Sequence, residues 1–137
     1  MLYQTVIELA GVGAGSTVLD ICSGTGTIGI CCAHQGQATN VIGVDICASA
    51  IRCAQLNAKV NGVKNATFVA SRAELVLEEL LQGQTMGQGA KMVAIVDPPR
   101  MGLHRTCLQA LRNCEPIQRL VYVSCNPTGS LIADIKG

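Results

Sequence analysis

Cys125 stands in Ser124-Cys125-Asn126-Pro127, just past an apolar run and just before a stretch that can start a helix, with Pro127 at an early helical position. A helix amino terminus favours the thiolate, so the thiol is expected below the free value of ~8.5. Most cysteines in a chain are inert packing, and this setting separates Cys125 from the other seven. A second chemical signature is Gly24-Thr25-Gly26-Thr27-Ile28-Gly29. It satisfies G-x-G-x-x-G, in which glycines make a tight strand-to-helix turn and let backbone approach a ligand. Such a turn can also exist without a ligand. Asp45 ends a short apolar run and can accept hydrogen bonds from ribose hydroxyls. Asp97, in Asp97-Pro98-Pro99-Arg100, is either a further binding carboxylate or a turn former, since Asp-Pro is common in turns.

These residues need a scaffold, and the apolar pattern supplies one. A helix is expected over 2–10, stopping at Gly11, Gly13 and Gly15. Strands follow at 18–21, 41–44, 67–70, 92–96 and 119–123, and helices at about 28–33, 49–61, 73–81 and 105–112. Ser49 can cap the third of the five helices in this list, and Gly62 stands where a left-handed terminator is wanted. Residues 82–89 form a polar, glycine-rich loop, and 131–135 a final amphipathic piece. Strands that are apolar throughout and alternate with helices imply a parallel sheet covered on both faces. In such sheets ligands bind at the carboxyl ends of strands. All four signatures fall there, after strands one, two, four and five.

The 137 residues suffice for one domain with one core, 1–137. An apolar fraction of 49% and a mean hydropathy of +0.38 exclude disorder. A net charge of +1 excludes a module that grips RNA by phosphate neutralisation alone. Three aromatic residues, Tyr3, Phe68 and Tyr122, cannot form a base-stacking platform. Any nucleic acid is therefore held mainly by regions outside this chain. No C-x-x-C pair occurs, and His34 and His104 fall in no ligand spacing, which argues against zinc. No segment approaches the ~20 apolar residues that span a membrane. The expectation is a reduced, soluble, intracellular protein, with cytoplasm, nucleus and mitochondrion all open.

Two nucleotide cofactors compete for the glycine turn. In a nicotinamide enzyme the strand runs straight into the first glycine. Here Asp20 stands four residues before Gly24, giving D-x-x-x-G-x-G, the pattern of S-adenosylmethionine methyltransferases. Its carboxylate can orient the loop or face the charged methionine moiety. S-adenosylmethionine is the preferred reading. Asp97-Pro98-Pro99 is similar to the motif of methyltransferases acting on exocyclic amines, but Arg100 stands where those need an aromatic residue. A thiolate beside a methyl donor has a different use. Uracil C5 is barely nucleophilic, and thiolate addition at C6 turns the ring into an enolate that can be methylated at C5.

Taken together, Asp20-Ile21-Cys22-Ser23-Gly24-Thr25-Gly26-Thr27, Gly43-Val44-Asp45, Asp97-Pro98-Pro99-Arg100-Met101-Gly102-Leu103 and Tyr122-Val123-Ser124-Cys125-Asn126-Pro127 resemble the RNA uracil-5-methyltransferases. The eukaryotic tRNA branch looks nearest, and the resemblance runs from Leu2 to about Pro127. It implies a Rossmann-like class I methyltransferase fold, S-adenosylmethionine as cofactor and RNA, in this branch tRNA, as substrate. It also implies Cys125 as nucleophile, Cys22, Thr27, Asp45 and Asp97 as cofactor contacts, and Gly24 and Gly26 as the turn.

The departures are mostly absences. The family's catalytic Glu lies tens of residues past the nucleophile, and this chain ends 12 residues after Cys125. Glu115 precedes Cys125, and Gln4 lies too far along to be the family's cofactor-contacting Gln. The family sheet has seven strands in the order 3-2-1-4-5-7-6, against five here. A partial catalytic domain lacking the RNA-binding portion is the resulting expectation, with a fifth strand whose bare edge invites self-association. The alternatives are a non-catalytic S-adenosylmethionine-binding fragment or interaction module lacking the general base, and a nicotinamide-dependent oxidoreductase.

Overall fold

The computed structural model describes residues 2–82 and 91–124, with the side chains of 81 and 82 excepted. Five parallel strands form one sheet in the order β3-β2-β1-β4-β5. The strands are β1 (Ser16–Ile21), β2 (Asn40–Asp45), β3 (Ala66–Ala70), β4 (Lys91–Val96) and β5 (Ile117–Tyr122). The helices are α1 (Leu2–Ala10), α2 (Thr27–His34), α3 (Ala48–Val60), α4 (Ala73–Gln82) and α5 (Arg105–Asn113). Every expected element over these residues is present. Residues 83–89 of the glycine-rich stretch, Cys125 to Pro127 and the 131–135 piece lie outside the described residues.

Because β1 and β4 are central, their side chains are buried towards both faces, which explains why they read as unbroken apolar runs. On one face Val18, Val41, Val93 and Ile95 pack under α1 and α2, around Val6, Ala10, Ile28 and Cys32. On the other, Leu19, Ile21, Met92, Ala94 and Val96 pack under α4 and α5, around Leu77, Cys107 and Leu111. Burying side chains of this kind stabilises a fold by about 1.5–3 kcal/mol each. A third cluster joins Ile51, Ala54 and Ala58 of α3 to Phe68 of β3.

Two details differ from the sequence reading. Ser49 lies inside α3, and the cap position belongs to Cys47, whose N–H is held by Asp45 Oδ1 at 2.9 Å. That bond turns the chain before Ser49 is reached. β5 begins two residues earlier than expected, with a register shift opposite Met92 and Val93. The extra residue, Gln118, breaks the alternation on which its amino end could have been read. Gly62 ends α3 with φ +67°, as anticipated. Leu120 and Tyr122 on β5 line a groove of about 420 Å³ with Val96, Leu103, Leu108 and Leu111.

Candidate functional site

The sheet order reverses direction between β1 and β4, so their carboxyl ends diverge into a crevice. The chain leaves β1 through Cys22, held in a left-handed conformation at φ +60°. Ser23 N–H then donates to Val44 O at 3.0 Å, and Gly24 N–H to Asp45 Oδ2 at 2.9 Å. Gly26 N–H donates to Ser23 O at 2.9 Å and closes the turn. From α3, the Asn57 side-chain amide donates to Thr25 O at 3.0 Å. The turn is thus clamped by β2 and α3.

Gly26 is required twice over. Its φ is +84°, and a Cβ there would lie 2.9 Å from both Ala54 Cβ and Phe68 Cζ. Gly29 is needed for a different reason: a Cβ would lie 2.9 Å from Asp20 Oδ2. Its own N–H donates to that oxygen at 3.0 Å, tying α2 to the end of β1. Thr27 is the first residue of α2 and is exposed.

Asp45 does more than the motif suggested. Its two oxygens accept from Gly24 and Cys47, so the residue expected to meet a ribose also holds the glycine turn and the start of α3. An ionised carboxylate has about four acceptor positions, so capacity remains for ligand hydroxyls. Asp97 follows β4, its N–H bonded to Ile21 O at 3.3 Å, and partial burial raises its pKa. Cys22 lies against the α4–α5 side of the core. Burial, reinforced by Cys107 and the three carboxyl groups Asp45, Asp20 and Asp97, pushes its thiol up to about 12. Cys22 is therefore a neutral wall of the crevice.

Cys22, Gly24, Gly26, Thr27 and Asp45 form one connected unit, and Asp97 joins it through the backbone bond to β1. Cys125 lies outside the described residues, which end at Ser124 two positions past β5. A further support escaped the sequence reading. Thr106 Oγ1 donates to Glu74 Oε1 at 3.1 Å, and Arg72 Nε donates to the same oxygen at 2.8 Å. This bridge fastens the start of α5, and with it the far end of the Asp97–Arg100 loop, to the start of α4. The His104 ring caps α5 by accepting from Thr106 N–H at 3.3 Å. No spacing rule could reveal a pair 32 residues apart.

Two aspartates, Asp45 at the end of β2 and Asp97 just past β4, thus stand at one crevice, with Asp20 fully buried beneath it in β1. Such a site favours a ligand that combines positive charge with hydroxyl donors. Two buried polar atoms there, Asp20 Oδ1 and Ser23 Oγ, have no hydrogen-bond partner among the described residues. Among the described residues no helix is long and apolar enough to cross a membrane.

Comparison with known proteins agrees with this geometry. The chain is 42% identical over 135 residues to a Danio rerio protein named tRNA (uracil-5-)-methyltransferase homolog B, covering 98% of this chain and 27% of that protein. It is 45% identical over 130 residues to the Mus musculus homolog B, covering 94% of this chain and 25% of that protein. The chain therefore spans about a quarter of the length of these curated relatives. A solved RNA methyltransferase from Salinibacter ruber, in complex with S-adenosyl-L-homocysteine, superposes with a TM-score of 0.59 at 25% identity, over 81% of this chain and 63% of that one. The fold is the Rossmann-like class I methyltransferase fold. A match to the family described as "Methyltransferase domain" runs over residues 13–135, and the chain belongs to that family.

Proposed function

We propose that this chain is the catalytic portion of an S-adenosylmethionine-dependent enzyme that methylates uridine C5 in RNA, with tRNA as substrate. The observation that carries the reading is the crevice itself, whose glycine turn and two acidic side chains, Asp45 and Asp97, suit a cationic nucleoside, in a chain similar to tRNA (uracil-5-)-methyltransferase homologs. Gly24, Gly26 and Thr27 would line the cofactor, Asp45 its ribose, and Cys22 and Asp97 the crevice wall. The cofactor supplies an electrophilic methyl group.

Cys125, directly after Ser124 in the chain, acts as the nucleophile. Its thiolate adds to uracil C6 and the ring becomes an enolate, which makes C5 nucleophilic enough to accept a methyl group. A base then removes the C5 proton, the C5–C6 double bond re-forms and the thiolate leaves. In this reading the base, and most of the grip on RNA, come from residues outside the 137.

The test is methyl transfer from labelled S-adenosylmethionine to a tRNA transcript, with the product identified by digestion and mass spectrometry. 5-Methyluridine is the expected product. Cofactor binding without transfer would favour the second reading, a cofactor-binding module, which the quarter-length match to its relatives keeps in play. Binding of NAD in place of S-adenosylmethionine would overturn both.

A further inference from the structure

Asp20 is the most unusual titratable group among the described residues. It lies in the middle of the sheet, paired in register with Gly43 on β2 and Ile95 on β4, and it is fully buried. One oxygen, Oδ2, accepts from Gly29 N–H. The other, Oδ1, is buried and has no partner among the described residues. The charged groups acting on it are themselves acidic: Asp97 at the end of β4 and Asp45 at the end of β2. The thiols of Cys22, at the exit of β1, and Cys32, on α2, are also coupled to it, and both titrate far above neutrality.

Burial dominates this environment. An ionised carboxylate there gives up its hydration and receives one backbone hydrogen bond in return, while two like charges repel it. Its pKa is raised to about 7, the Gly29 bond offsetting only part of the increase. Near neutral pH, without a ligand, much of Asp20 carries a proton. Oδ1 is the natural place for it, since Oδ2 is already an acceptor.

We propose that Asp20 is a positioning residue that couples cofactor binding to proton release. The inference rests on the S-adenosylmethionine reading above. A sulfonium brought into the crevice offsets the repulsion from Asp45 and Asp97 and favours the ionised form of Asp20. The Oδ1–H bond breaks, its electron pair stays on the carboxylate, and the proton passes to buffer. The carboxylate then accepts a stronger, charge-assisted bond from Gly29 N–H, which tightens the glycine turn on its ligand. S-adenosylhomocysteine is a neutral thioether, so it expels less of the proton. Affinity for the methyl donor should therefore rise with pH through the neutral range more than affinity for the demethylated product does.

Calorimetric titration of the chain with S-adenosylmethionine at pH 7, in buffers of differing ionisation enthalpy, reads the proton count directly. About half a proton released per cofactor is expected, with less for S-adenosylhomocysteine. In Asp20→Asn, which keeps an acceptor for Gly29, the release should vanish. Binding with no proton release in the unaltered chain would overturn the coupling while leaving the cofactor reading intact. Equal release in Asp20→Asn would overturn the assignment to Asp20. Failure to bind the cofactor at every pH, by a chain shown to be folded by circular dichroism, would overturn the underlying reading as well. Should Asp20→Asn fail to fold, the donor-versus-product comparison on the unaltered chain still decides, and equal release for the two ligands would count against the proposal.

Discussion

Cys125→Ala should form no covalent adduct with RNA carrying 5-fluorouracil, whereas the unaltered protein should be trapped on it. Fluorine at C5 cannot leave as a proton, so the reaction stalls after thiolate addition and methylation, with sulfur still bound to C6. In the proposed mechanism, alanine removes the sulfur that forms that bond. On uridine-containing RNA, methyl transfer by the variant should fall by on the order of 10⁴-fold or more, because the unassisted ring is hardly nucleophilic at C5. Cofactor binding should persist, since the glycine turn and the start of α2 are held by Asp45, Asn57 and Asp20. Gel mobility under denaturing conditions, with mass mapping of the modified peptide, reads the result. An adduct that survives the substitution would remove the mechanism.

Phe68→Ala should be the most destabilising single change within the described core. Phe68 is the chain's only phenylalanine and is 4% exposed. Its ring occupies the space that three glycines leave open. A Cβ at Gly43 would collide with Phe68 Cδ1, one at Gly26 would meet Cζ at 2.9 Å, and one at Gly29 would meet Cε1 at 3.4 Å. The substitution opens a cavity directly beneath the glycine turn and should cost ~3–5 kcal/mol. That is a large part of the ~5–15 kcal/mol typical of a whole domain. In urea, the midpoint should fall with little change in slope. S-adenosylmethionine affinity, measured on the fraction that remains folded, should fall too, because the turn loses its floor. An unchanged midpoint would show that Ile51, Ala54 and Ala58 close the space unaided.

The sequence carried the strand-and-helix order, the glycine turn and the placement of Asp45 and Asp97 at strand ends, because each rests on local periodicity or on a short motif. Phe68 was visible only as a scarce aromatic. Its function depends on β3 lying beside β2 and on α2 descending across both, which no window of residues encodes. The bond from Gly29 to Asp20 spans nine positions and forms only when α2 docks on the sheet. The Glu74–Thr106 bridge likewise requires α4 and α5 to be neighbours. The Gln118 irregularity was hidden because an inserted residue has no signature of its own when the flanking positions are mixed. The cap of α3 was misassigned because serine is the better capper in isolation. Asp45, two residues before Cys47, overrides that preference.

The reversal of strand order also has a consequence for synthesis. On the ribosome, β1, β2 and β3 emerge consecutively and can pair as soon as each appears, so the glycine turn, its Asp45 clamp and the α3 brace can be in place early. The other flank of β1 must wait for β4, which begins 70 residues after β1 ends. At roughly 5–20 residues per second, that leaves the flank bare for about 4–14 s. During that interval the nascent polypeptide would display a half-built cradle and an unpaired apolar strand, a natural target for chaperones.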